Sequence, residues 1–139
     1  MVSVTPRGIR NNNPLNIRIS SNNWLGKEQP SRDSQFETFD TMEHGLRAAF
    51  IIIRTYIVKY GLCYVSDVIK RFAPPKENDW IRYTSHVRLY SGIDQGTRLC
   101  FDDKTQMVKL LWAMSIVECG HGWVSKNQLE YVYEKYFGE

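Results

Sequence analysis

The stretch Met107-Val-Lys-Leu-Leu-Trp-Ala-Met-Ser-Ile-Val-Glu118-Cys-Gly120 decides the fold. Met107, Leu110, Leu111, Met114 and Glu118 stand at i, i+3, i+4, i+7 and i+11, one face of a helix. Trp112, Ala113, Ile116 and Val117 make the other faces apolar too, so only Lys109 and Ser115 are expected to meet water. A helix apolar all round belongs at the centre of a domain. Its last turn, before Gly120-His121-Gly122, nevertheless carries a carboxylate. Burial and the negative end of the helix dipole both disfavour the ionised form and push the pKa of Glu118 upward. A carboxyl that keeps its proton near neutral pH is what a general acid requires. Against this stands the ordinary state of a glutamate near a helix end, which is solvated or salt-bridged.

The rest of the composition fits one compact domain over residues 1–139, with 42% hydrophobic content around a single core. Eighteen basic against fifteen acidic residues give a net charge of +3 without any Lys/Arg run, so no nucleic-acid partner is expected. Eight tyrosines and four tryptophans suit stacking on sugar rings and equally suit a small core. Cys63, Cys100 and Cys119 are odd in number and lack metal-ligand spacing, so neither a disulfide framework, a metal site nor a cofactor is expected. The opening Met1-Val-Ser-Val-Thr-Pro-Arg7 has no apolar signal region, and the apolar run at residues 48–53 is too short to span a bilayer. Synthesis in the cytoplasm without a signal peptide follows as the expectation.

Along the chain, residues 7–16 combine a glycine, four asparagines and a proline, which favour turns over regular structure. Short β-like segments at residues 16–19 and 35–39 flank a loop with Gly26 and Pro30, and predict an antiparallel hairpin. Asp40-Thr-Met-Glu43 caps a helix with the stripe Met42, Leu46, Ala49, Phe50, Ile53, Ile57 and Tyr60, ended by Gly61. A shorter helix carries Val65, Val68, Ile69 and Phe72 before Pro74-Pro75, and Asn78-Asp79 caps another running through Val87 toward Gly92. Asp103 with Gln106 opens the Glu118 helix. Ser125 with Gln128 opens the last one, bearing Leu129, Val132, Tyr133, Tyr136 and Phe137. The fold class is mainly α (α+β): a helical domain with a small N-terminal β-hairpin.

The segments Arg7-Gly-Ile-Arg-Asn-Asn-Asn-Pro-Leu-Asn-Ile-Arg18, Phe36-Glu-Thr-Phe-Asp-Thr-Met-Glu-His-Gly-Leu-Arg-Ala48 and Ala73-Pro-Pro-Lys-Glu-Asn-Asp79 resemble a family of small phage and prophage virion proteins, over roughly the first ninety residues. The asparagine block and the Phe-x-x-Phe-Asp-x-x-Glu helix start are also similar to cell-wall glucosaminidases of the lysozyme-like superfamily, where that block leads into a substrate-lining hairpin. In those enzymes the catalytic glutamate precedes the asparagine block, in a motif roughly Ala-x-x-x-x-Glu-Ser-Gly. Here only a few residues precede Arg7, but Ala113-Met-Ser-Ile-Val-Glu118-Cys-Gly120 resembles that motif near the other terminus. A circular permutation of a lysozyme-like domain would bring the two halves together, which the usual proximity of domain termini allows.

The resemblance implies a peptidoglycan glycan-strand hydrolase: a muramidase, glucosaminidase or lytic transglycosylase. Glu118 would protonate the leaving glycosidic oxygen, with the oxocarbenium-like transition state stabilised by a second carboxylate or by the substrate's own acetamido group. Asp33, Glu37 and Glu28 are the candidates for that carboxylate. Asp33 is preferred for its place in the loop before Phe36, and solvated hairpin charges are the alternative for all three. Without a second carboxylate, intramolecular attack would release an anhydro sugar. Glu43 is the rival acid, but it sits in a helix N-terminus, where the dipole lowers its pKa. Asn13 and Asn16 are candidates for binding N-acetyl groups or for holding the loop, and Arg10 and Arg18 for meeting peptide-stem carboxylates or pairing with local acids. Trp24 is a candidate for sugar stacking, with core burial as its alternative. Tyr83 and His86 are candidates for the cleft wall, though a lone histidine is more often structural.

The implied partner is bacterial peptidoglycan, reached through a holin, a virion or a secretion machine. A non-catalytic virion or wall-binding module is the alternative.

Overall fold

The computed structural model of the chain describes residues 4–73 and 79–138. Among them are six α-helices: α1 (Arg7–Arg10), α2 (Met42–Arg54), α3 (Val65–Phe72), α4 (Trp80–Ser91), α5 (Lys104–Cys119) and α6 (Lys126–Phe137). The expected mainly helical class is what forms. Helix α5 is the hub: it packs on α4, α6, α1 and α2, and Met107, Leu110, Leu111, Ala113 and Met114 are wholly buried. Each such large side chain contributes about 1.5–3 kcal/mol on leaving water. Lys109 is exposed as expected. Ser115 is not; it is buried and its hydroxyl donates to the Trp112 carbonyl at 2.6 Å, which lets a polar residue face the core.

The helix starts follow the chemistry of their caps. Thr41 accepts from the amide of His44 at α2, Asp79 from Arg82 at α4, Asp103 from Gln106 at α5, and Ser125 forms a complete capping box with Gln128 at α6. At α2 the cap is Thr41 rather than Asp40, whose carboxylate is held by His44 Nδ1 at 2.6 Å. The α2 stripe continues beyond Arg54 through a π-helical turn, Thr55–Lys59. Gly61, at φ +68°, then reverses the chain. Pro74-Pro75 and Asn78, expected to stop α3 and help cap α4, lie outside the described residues.

The expected N-terminal hairpin is reduced to isolated antiparallel bridges: Arg18 with Phe36, where the Ile19 amide donates to the Gln35 carbonyl at 3.1 Å and the Glu37 amide to the Ile17 carbonyl at 2.9 Å, and Lys27 with Phe39. Asn13 Nδ2 donates to the carbonyls of both Ile17 (3.0 Å) and Glu37 (2.9 Å), and its Oδ1 accepts from the amide of Ile17 (2.9 Å). A side chain thereby takes over backbone groups that a ladder would use. Asn12 and Asn16 turn the chain at φ +52° and +53°, a region asparagine tolerates better than other side chains.

The asparagine loop lies flush against α2. A Cβ on Gly45 would fall on the Asn12 carbonyl oxygen, so backbone meets backbone there. Gly8 makes a similar approach: a Cβ would stand 2.8 Å from the Asn13 carbonyl oxygen and 2.9 Å from Cys119 Sγ. Gly45→Ala is therefore expected to lower stability by about 1–3 kcal/mol through overpacking, although helix propensity alone would raise it by roughly 1 kcal/mol. Urea denaturation decides the sign, and a stabilised variant would contradict the close approach.

Candidate functional site

Glu118 sits in the last turn of α5 and is neither fully buried nor open to solvent. Asn16 Nδ2 donates to its Oε1 at 2.7 Å, and the Tyr83 hydroxyl donates to its Oε2 at 2.8 Å. Three segments far apart in sequence thus meet at one carboxyl: the asparagine loop, α4 and α5. Both donors are neutral, and among the described residues no lysine, arginine or histidine forms an ion pair with Glu118. Burial is the largest influence and raises its pKa above the ordinary carboxylate value, against the two hydrogen bonds, which lower it. Its neighbours register the same environment. The Tyr83 phenol is raised well above its usual value by burial and by Glu118, and the Cys119 thiol is pushed up to about 12 by burial and by Glu118. Cys119 Sγ lies 3.3 Å from the Pro14 carbonyl oxygen, so this thiol acts as a buried strut between α5 and the loop.

Around the acid runs an aromatic strip on α4. Tyr83, His86 and Tyr90 share a face at i, i+3 and i+7. His86 lies parallel to Tyr90 with centroids 6.0 Å apart, His121 meets the Tyr90 edge at 5.1 Å, and Phe72 meets Tyr83 at 6.3 Å. Tyr90 and His121 were not among the residues singled out from sequence. The helical spacing from Tyr83 and the position of His121 three residues after Glu118 are the signals that point to them.

Of the expected site residues, Asn16 and Tyr83 are the ones with a described hydrogen bond to Glu118. Asp33 accepts two hydrogen bonds from Arg7 at 2.7 Å each, one from Asn11 at 3.0 Å, and the amides of Gln35 (2.9 Å) and Phe36 (3.0 Å). The Arg7 guanidinium first, and then these amides, hold its carboxyl far below the usual range. Asp33 is a brace that folds the loop onto α1. Glu37 is 1% exposed and pairs with Lys27 at 3.2 Å, while the Lys27 ammonium also donates to the carbonyls of Ser20 and Asn22. Glu28 pairs with Arg32 at 2.7 Å. None of these three carboxylates shares a described hydrogen-bond partner with Glu118.

Glu43 receives the Lys135 ammonium at 2.8 Å and the Tyr136 hydroxyl, which lower its pKa and tie α2 to α6. Asn13 is 0% exposed, with its amide committed to the backbone, so it shapes the loop instead of facing a ligand. Arg10 donates to the Thr5 carbonyl at 2.7 Å. The Arg18 guanidinium lies over the Phe36 ring, 5.2 Å from its centre. Trp24 is half-buried and lines a different cavity. Among the described residues no group of three His, Cys, Asp or Glu is placed to hold a metal ion, and no helix is long and apolar enough to cross a membrane.

The opposite shifts of Asp33 and Glu118 have opposite consequences for stability. Asp33, depressed, contributes stability that is present above its unfolded pKa and is lost as pH falls toward the folded value. Glu118, raised, contributes stability that is complete below its ordinary value of 4.5 and is lost as pH rises through the folded value. Glu118→Gln removes only the second effect. The glutamine carbonyl can accept from Asn16 while its amide donates to the Tyr83 hydroxyl. Measured by urea denaturation between about pH 4 and pH 8, the variant should gain on the parent with rising pH, by at most about 1.4 kcal/mol per pH unit. A pH-independent difference would contradict the raised pKa.

No family model matches the chain. Protein P5 of Pseudoalteromonas phage PM2 is 43% identical to it over 101 residues, which is 70% of this chain and 63% of that protein. The chain thus spans less than two thirds of the length of this relative. The phage part of the resemblance is borne out: the chain is related to a phage protein.

Proposed function

We propose that the chain cleaves the glycan strands of peptidoglycan, with Glu118 as general acid, within a circularly permuted lysozyme-like arrangement. The observation that carries this reading is the state of Glu118: partly dry, raised in pKa, and held by two neutral donors, with no cation paired to it among the described residues. A structural glutamate at a helix end would ordinarily be solvated or salt-bridged. The kinship with a phage protein supports a setting in which a bacterial wall must be crossed.

Because Asp33, Glu37 and Glu28 are each engaged elsewhere, a one-carboxylate reaction fits better than a two-carboxylate one. The Glu118 carboxyl donates its proton to the glycosidic oxygen as the bond from C1 breaks. The resulting carboxylate then takes the proton of the same sugar's C6 hydroxyl while that oxygen attacks C1. An anhydro ring forms, the acid is regenerated, and no water is consumed. Tyr83 and Asn16 stabilise the carboxylate between the two steps, since hydrogen bonds to the charged form favour it. The rings of His86, Tyr90 and His121 supply faces and polar edges for the sugars.

A non-catalytic virion or wall-binding module is the second reading, favoured by the lack of a second carboxylate among the described partners of Glu118. Digestion of purified sacculi separates the two. Mass spectrometry should find muropeptides with anhydro ends, and Glu118→Gln should lower their release by roughly 10²–10⁴-fold, the range for loss of a general acid. Sacculi that are bound without release of fragments would establish the second reading. Tyr83→Phe removes a donor that lowers the Glu118 pKa. The descending, high-pH limb of the activity profile should therefore move upward in pH. An unmoved limb would sever Tyr83 from the proton transfer.

A further inference from the structure

A cavity of about 870 Å³ opens between the loop carrying Trp24 and the outer face of α2. It shares no lining residue with the Glu118 site. On the helical side Arg47, Ile51, Thr55 and Lys59 line it at intervals of four, one face of α2 continued through the π turn. The α-carbons of Arg47 and Lys59 are separated by roughly 18 Å along that axis, at about 1.5 Å per residue. Neither Arg47 nor Lys59 has an acidic partner within ion-pair range among the described residues. Each lies instead over an aromatic ring, Tyr136 at 5.5 Å and Tyr60 at 5.6 Å. Glu43, one turn before Arg47, is held by Lys135 and Tyr136. Lys27 also lines the cavity, but its charge is neutralised by Glu37.

On the loop side Asn22 and Asn23 border the cavity beside Trp24. The indole Nε1 of Trp24 is buried and no atom of the described residues accepts from it. A buried donor without an acceptor costs about 1–3 kcal/mol, and a native protein carrying one calls for an explanation. A half-buried indole, two amides and two spaced cations together form the chemistry that recognises a chain of hydroxyl-bearing units with repeated negative charge. The spacing of Arg47 and Lys59 suits an extended chain better than a single small anion.

From this juxtaposition we infer that the cavity between Trp24 and α2 binds a negatively charged glycan chain, with Trp24 and the asparagines meeting the sugar and Arg47 and Lys59 meeting its charges. The site is separate from the chemistry of Glu118 and would hold a polymer whether or not that residue cleaves it.

The test is a titration of the full chain carrying Glu118→Gln, so that binding is read without turnover and independently of the catalytic assignment. The reporter is the Trp24 indole N–H resonance, identified by its loss in Trp24→Phe. A tetrasaccharide of alternating N-acetylglucosamine and N-acetylmuramic acid, or a phosphate-bearing glycan chain of similar length, should move this resonance. Whichever binds more tightly assigns the charge to carboxylate or to phosphate. The neutral N-acetylglucosamine tetramer should bind at least tenfold more weakly. Arg47→Gln with Lys59→Gln should reduce the charged ligand to the neutral level while the remaining resonances keep their positions.

Three results would overturn the inference: equal affinity for neutral and charged chains, an unchanged affinity in the double variant, or equally tight binding of inorganic phosphate alone.

Discussion

Two hydrogen bonds to one carboxyl organise this molecule. Asn16 and Tyr83, 102 and 35 residues from Glu118 in sequence, converge on its two oxygens. The convergence depends on backbone packed against backbone: Gly8 lets α1 approach the end of α5, Gly45 lets the asparagine loop lie on α2, and Cys119 closes the contact through Pro14. The asparagine loop near the N-terminus and the end of α5 are thereby joined at one corner of the fold.

Around that corner the carboxylates have divided roles, and the division is set by their partners. Asp33 and Glu43 meet cations and amides that favour the ionised form, so they fasten the loop to α1 and α2 to α6. Among the described residues Glu118 meets two neutral donors, in a partly dry setting that favours the protonated form. A fold that leaves a partly buried acid without a counter-ion among the described residues accepts a local cost in stability. Such a cost is characteristic of sites where the altered proton affinity serves a function, although structural networks can shift pKa values as well.

The helical part of the fold was legible in the chain because its signals are local. Apolar period, capping residues and terminal glycines lie within a few positions of the structure they produce, and α2 to α6 follow them closely. The N-terminal segment was not legible in the same way. β-like stretches at residues 16–19 and 35–39 read as a hairpin. Asn13 instead captures two carbonyls and an amide from both stretches, a tertiary arrangement without a local signature. At the site, Glu118 stood out because a carboxylate on an apolar face violates its own pattern, and Tyr83 and Asn16 fell to it as neighbours. The partners of Asp33 were not legible, for a physical reason. Its role depends on Arg7 and Asn11, more than twenty residues away, and a loop aspartate carries the same local signal whether it braces the chain or faces a substrate.

The protonation of Glu118 is the claim beneath the reading of this molecule as an enzyme, and it is open to direct measurement. Selective ¹³C labelling of the glutamate side-chain carboxyls, with each resonance followed across acidic and neutral pH, gives the ionisation of Glu118 itself. The account requires its midpoint to lie above 4.5, and to rise further when Tyr83 is replaced by phenylalanine. A midpoint at or below 4.5 would mean that the carboxyl is an ordinary anion at the pH of the cell, and the general acid would be lost.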